Sequence, residues 1–182
     1  TTAVLPLVRV AEVVDRLEKA VDAGAQAYWI CPLVTESEVS DLAAAEDRAR
    51  ALTQSLGTAV GLAHGQMPSL ERERTMSDFS DGRIPVLVAT TVVEVGVDVP
   101  NASIMVIEHA DRFGLAQLHQ LRGRVGRGAK ASACILLYGN DEGAIGQTAQ
   151  ERLETLRRTE DGFEIAEEDF RLRGGGDPLG LR

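Results

Sequence analysis

The chain has 182 residues, 44% of them hydrophobic and 4% aromatic, and carries a formal net charge of −9. That is enough for one domain with a proper core, or one domain plus an appendage, and too little for two full domains. The acidity excludes a protein that grips nucleic acid over its whole surface, because non-specific affinity comes from neutralising phosphates. Cys31 and Cys134 lie in apolar runs with no second cysteine or histidine at ligand spacing; this argues against a disulfide framework or zinc site and suits buried thiols in a reducing cytosol. Nothing in the sequence has the length of a membrane span or the pattern of a signal peptide.

Val10, Val13, Val14, Leu17 and Val21 recur at spacings of three and four, which predicts an amphipathic helix ending near Gly24. The apolar run from Ala27 to Val34, with Pro32 near its end, is too short for a helix and reads as a buried strand. Tyr28 and Trp29 within it are core side chains rather than a base-stacking platform. Ser40 is the expected N-cap of a helix over 41–56 closed by Gly57. A strand over 58–63 follows, then a helix that begins at Pro68 and runs to about Phe79, the turn Ser80-Asp81-Gly82, and a strand over 84–89. A strand over 103–107, a helix over about 115–127 and a strand over 131–138 continue the alternation. Strands alternating with helices across short connections predict an α/β fold, an open parallel sheet with helices on both faces. Past Tyr138, the residues Ile145, Ala149, Leu153 and Leu156 mark another amphipathic helix. The chain then turns acidic and glycine-rich, so 1–140 is expected to form the main lobe and 141–182 a C-terminal helical and loop appendage.

The stretch Gln117-Leu118-His119-Gln120-Leu121-Arg122-Gly123-Arg124-Val125-Gly126-Arg127-Gly128 carries the strongest chemical signal. If the helix persists, Gln120, Arg124 and Arg127 share one face at about 100° per residue, while Leu115, Leu118, Leu121 and Val125 cluster on another. Glycine inside a helix costs about 1 kcal/mol relative to alanine, so Gly123 and Gly126 make sense where something approaches the backbone closely. A polyanion such as a nucleoside triphosphate fits. Charge is also uneven: 111–130 holds five basic residues against Asp111 alone, whereas 160–169 holds six acids and no base, as a local basic site on an acidic body would require.

Ligands of open parallel sheets bind beyond the carboxyl ends of the strands. There, Thr90 and Thr91 follow one strand with Glu94, Gly96 and Asp98 downstream, and His64-Gly65-Gln66-Met67 follows another. Hydroxyls and a neutral imidazole can hydrogen-bond phosphate oxygens, and glycine admits close approach. His109 and His119 have no comparable setting and read as structural.

Gln-x-x-Gly-Arg-x-Gly-Arg resembles the sixth motif of superfamily 2 helicases, and Ala89, Thr90, Gly96, Asp98 and Pro100 match the fifth. The His-Gly-x-Met turn is similar to one that lies along nucleic acid in the same motors. The run 61–138, with Asp161-Gly162-Phe163-Glu164-Ile165-Ala166-Glu167 and Arg171-Leu172-Arg173-Gly174 in the tail, closely resembles the RecG family of ATP-dependent DNA helicases. The resemblance implies the second RecA-like lobe of a motor that remodels stalled forks and branched recombination intermediates. It assigns Arg124 and Arg127 to the terminal phosphates of ATP, Gln120 to the nucleotide, and Gly96 with Asp98 to the nucleotide or to coupling between the two sites. It likewise assigns His64, Gly65, Thr90 and Thr91 to the DNA backbone, and Glu94, Arg122, Arg171 and Arg173 to coupling. Gly175 stands where RecG proteins usually carry proline.

No Gly-x-x-x-x-Gly-Lys-Thr/Ser loop occurs, and no strand ends in the acidic pair that would hold magnesium. The expectation is a piece of a longer protein: the first lobe supplies the phosphate loop and the Mg²⁺ ligands for ATP, and Thr1–Pro6 is the connection to it. The implied partners are forked or branched DNA and that first lobe, with no membrane, in the bacterial cytoplasm at the nucleoid. The corresponding lobe of a transcription-repair coupling translocase and a non-catalytic RecA-like binding module are the alternatives.

Overall fold

The computed structural model describes residues 1–32, 38–90, 99, 101–125, 132–139 and 146–173. Six parallel strands form one sheet in the order β1-β6-β5-β2-β4-β3: β1 (Thr2–Pro6), β2 (Gln26–Ile30), β3 (Val60–Ala63), β4 (Val86–Ala89), β5 (Ala102–Ile107) and β6 (Ala133–Tyr138). The helices are α1 (Val10–Asp22), α2 (Glu38–Leu56), α3 (Ser69–Ser80), α4 (Leu115–Arg122), α5 (Gln147–Arg158) and α6 (Gly162–Leu172).

The central strands are buried on both faces, as their unbroken apolar runs require. Successive β2 side chains point to opposite faces. Tyr28 and Ile30 enter a core shared with Met76 and Phe79 of α3, Leu115, Leu118 and Leu121 of α4, and Leu153, Leu156 and Ile165 of α5 and α6. Ala27 and Trp29 enter the opposite core with Val13 and Leu17 of α1 and Ala45, Leu52 and Leu56 of α2. The acidic tail therefore packs its apolar residues into the same core as the sheet.

Several boundaries move. Residues 1–6, expected to be a connection, form an edge strand: β1 pairs with β6 in the register Thr2↔Cys134 to Pro6↔Tyr138. An apolar five-residue strand ending in proline is suited to a sheet edge. Strands β2 and β4 end together at the pair Ile30↔Ala89, so backbone pairing, and not the length of the apolar run, sets where β2 stops. Ser40 lies within α2, which begins at Glu38; several polar residues precede the apolar run, and cap preference alone does not choose among them. Pro68 is the extended N-cap of α3 (ψ 139°) and not its first helical residue. Gly57 closes α2 with φ +64°, the left-handed conformation that makes glycine the favoured residue after a helix.

The arginine helix is also shorter than expected. It stops at Arg122 with Gly123 as C-cap, so Arg124 lies two residues past the helix, in the turn whose amide bonds back to the Leu121 carbonyl. Arg127, Gly126 and Gly128 lie outside the described residues, as do Ile145 and Gly174–Gly176. Val125 is buried with Leu115, Leu118 and Leu121, as the apolar face predicts.

Candidate functional site

Two ends of the sheet carry the predicted residues. At the carboxyl edge, the register Ala63↔Ala89 places the residues after β3 and β4 side by side, so His64-Gly65 and Thr90, found in separate motifs, become neighbours. The turn is closed on itself. The Gln66 amide donates to His64 Nδ1 (3.1 Å), the His64 amide to Met67 Sδ (3.4 Å), and the Met67 amide to the His64 carbonyl (3.3 Å). Gly65 and Gln66 are exposed and His64 is half-buried. Thr90 is only 3% exposed, so of the residues assigned to DNA the His64–Gly65 turn is what the described surface offers directly. Thr91, Glu94, Gly96 and Asp98 lie outside the described residues.

The second group sits at the far end of α4, near the amino ends of β1 and β6, because a helix between parallel strands runs back across the sheet. The Gly114 amide donates to Gln117 Oε1 at 3.1 Å, which fixes the start of α4. At its end, Arg122 is buried and donates to the carbonyls of Leu156 and Thr159 (the latter at 2.9 Å) and to the Thr2 hydroxyl (3.2 Å). It thus ties α4 to the end of α5 and to β1. Arg124, two residues on, is half-exposed with no ion pair among the described residues, and Gln120 is exposed. A Cβ on Gly123 would meet only the carbonyl oxygens of Gln120 and His119, at 3.4 and 3.5 Å. Close packing of side chains within the lobe therefore does not explain that glycine. In the tail, Arg171 pairs with Glu168 (2.7 Å) on its own helix and Glu151 (3.5 Å) on α5, and Arg173 with Asp169 (2.9 Å). Asp161 caps α6 by accepting from the Phe163 amide at 2.9 Å.

Sequence reasoning missed a polar network beyond β5. The Glu108 carboxylate, 6% exposed, accepts from Trp29 Nε1 (2.9 Å), Cys31 Sγ (3.0 Å) and Arg48 (Nε 3.1 Å, Nη2 2.5 Å). Burial alone would raise the carboxyl pKa. The Arg48 hydrogen bond and charge, with the Cys31 and Trp29 donors, override it and hold Glu108 below its ordinary 4.5. Burial, and then the adjacent carboxylate, push the Cys31 thiol well up; burial takes Cys134 to about 12. Both cysteines are buried thiols. A single glutamate after a strand gives no periodic signal, and its partners are 60 to 79 residues away. His109, next in the chain, adopts φ 51° and ψ 44°. Among the described residues no group of His, Cys, Asp and Glu is arranged to hold a metal, and no helix is long and apolar enough to cross a membrane.

The sequence profile of the helicase conserved C-terminal domain matches residues 12–129. The chain belongs to the helicase conserved C-terminal domain family. Over all 182 residues it is 54% identical to the ATP-dependent DNA helicase RecG of Acidithiobacillus ferridurans, and over 184 aligned positions 50% identical to that of Escherichia coli K12. It spans 26% of the length of either relative. A structure of RecG bound to a three-way DNA junction superposes with a TM-score of 0.80 at 42% identity, covering 100% of this chain and 23% of that one. The yeast DEAD-box splicing factor Prp28 gives 0.65 at 17% identity over 100% of this chain and 38% of its own, a likeness of fold. As a helicase C-terminal lobe, the chain has the RecA-like parallel sheet that this likeness implies.

Proposed function

We propose that this chain is the second motor lobe of a RecG-type ATP-dependent DNA helicase that remodels stalled forks and branched recombination intermediates. The observation that carries this is the extent of the similarity. Identity to RecG runs through the whole chain, including the α5–α6 tail beyond residue 129 where the general helicase profile stops. Arg122 bonds that tail to the arginine-bearing helix. A tail so attached suits coupling between nucleotide state and DNA movement, the role proposed for Arg122, Arg171 and Arg173, with Glu94 alongside.

ATP is the substrate, and the first lobe supplies its phosphate loop and magnesium ligands. On this lobe Arg124 is available because it is half-exposed and has no ion pair among the described residues. Together with Arg127 it would stabilise charge developing on the transferred phosphoryl group, an effect typically worth about 10³ to 10⁵ in rate. Gln120, Gly96 and Asp98 complete the nucleotide side. His64, Gly65, Thr90 and Thr91 form the DNA side, gripping the backbone alternately with the first lobe as the cleft closes and opens. The protein acts in the bacterial cytoplasm at the nucleoid, on branched DNA.

The test is DNA-stimulated ATP hydrolysis by the full-length enzyme, wild type and Arg127→Ala, with a three-way junction or a linear duplex. Junction stimulation that the substitution abolishes supports this function. Equal stimulation by plain duplex would instead identify a transcription-repair coupling translocase, and turnover unaffected by the substitution would remove the arginines from the reaction.

A further inference from the structure

The turn after β3 is held by a residue that no motif contains. Arg72, one turn into α3, directs Nη1 at the carbonyl oxygens of both His64 and Gly65, 3.4 Å from each. A cation so near a helix N-terminus opposes the helix dipole, so local helix stability does not account for it. The guanidinium has five N–H donors in a fixed fork. Among the described residues it has no ion pair and no partner other than these two carbonyls. It is half-buried, while Gly65 and Gln66 of the turn are exposed.

The imidazole of His64 has a defined tautomer. Nδ1 of His64 accepts the Gln66 amide hydrogen, so the neutral ring carries its proton on Nε2. The edge then holds two chemically different donors: one uncharged N–H and one permanently charged fork.

We propose that Arg72 and His64 together form a phosphodiester site, His64 donating from neutral Nε2 and Arg72 supplying the positive charge while bracing the turn. This rests on the proposed course of the DNA backbone over His64-Gly65. It adds a charge-bearing ligand to a DNA face whose motif residues are uncharged, and so explains how a lobe of net charge −9 holds a phosphate there.

The two donors separate in a salt titration. Neutralising a phosphate with a cation releases counterions and contributes about 0.9 to the slope of log Kobs against log salt on duplex DNA; a neutral hydrogen bond contributes nothing to it. The experiment measures binding of the full-length protein to a duplex-armed junction from about 50 to 200 mM salt. Arg72→Gln is expected to weaken binding about tenfold at low salt and to lower the slope by about 0.9. Arg72→Lys should restore the slope, and His64→Ala should weaken binding with the slope unchanged. Matching thermal midpoints establish that the variants are folded. If Arg72→Gln leaves the slope at its wild-type value while His64→Ala weakens binding, the turn is on DNA but Arg72 is not a phosphate ligand, and this proposal fails alone. If neither substitution changes affinity, the DNA path over this turn fails with it.

Discussion

The turn after β3 and the end of α4 both grow from short glycine-bearing motifs, yet they are built in opposite ways. The bonds described above that close the turn are local: their donors and acceptors are two to eight residues apart. The end of α4 is held by Arg122, whose acceptors are 34, 37 and 120 residues away. The turn can form as soon as β3 and α3 meet, whereas the end of α4 is defined only once β1, α5 and α6 have docked. Two arginines two positions apart accordingly differ in kind: Arg122 is a buried tie, and Arg124 is half-exposed with no ion pair among the described residues.

That difference also marks what was legible in the sequence. The alternation of strands and helices, the two-sided sheet, the buried faces of α1 and α4 and the closing Gly57 follow from periodicity and local backbone chemistry. Strand β1 did not, because five residues of ordinary composition become a strand only through pairing with β6, over 130 positions away. The same holds for the early stop of α4. A wheel extended through Gly123 places Arg124 beside Gln120, but Gly123 ends the helix and the buried guanidinium of Arg122 spans to α5. The Glu108 network was invisible for the same reason. Among the candidate site residues, the turn and the arginines stand out by motif, and only the register of β3 on β4 makes His64 and Thr90 neighbours.

The largest effect should come from cutting the long-range tie. Arg122→Met removes donors from two carbonyls at the end of α5, and hydrogen bonds to a charged group are worth about 1.5–3 kcal/mol each. The expected loss is about 3–5 kcal/mol in urea unfolding, with faster amide exchange concentrated in α5 and α6. Uniform exchange across the sheet, or wild-type stability, would show that the tail is held by its apolar contacts alone.

Glu108→Gln tests a second long-range assembly. The folded-state pKa of Glu108 is depressed below the ordinary 4.5, so its contribution is fully present above that value and is lost as pH falls through the folded value. The amide should cost about 2–3 kcal/mol at neutral pH, and the gap from wild type should narrow on acidification below about pH 4.5. A gap that is constant with pH would mean the charge contributes nothing.

A smaller effect is expected beside the turn. A Cβ on Gly61 would lie 2.4 Å from Ile84 Cδ1 and 2.9 Å from Thr75 Cγ2. The isoleucine terminus can swing away and the β-branched threonine less easily, so Gly61→Ala should cost about 1–2 kcal/mol. An unchanged thermal midpoint would show that α3 shifts on β3 without strain, and His64 resonances would then report whether the turn moves with it.

The smallest effect belongs to the turn itself. Met67→Leu deletes the sulfur that accepts the His64 amide, while Met67 is only partly buried and its side chain packs at the margin of the core. Leucine keeps most of that apolar volume. The freed amide lies next to exposed Gly65 and can bond water, so the penalty of an unsatisfied buried donor does not arise. The stability change should stay under about 0.5 kcal/mol, and the Gln66-to-Nδ1 bond should persist, keeping the imidazole proton on Nε2 in its nitrogen-15 shifts. A loss comparable to Arg122→Met would contradict the distinction between the two regions, because it would make the turn as dependent on buried tertiary structure as the end of α4.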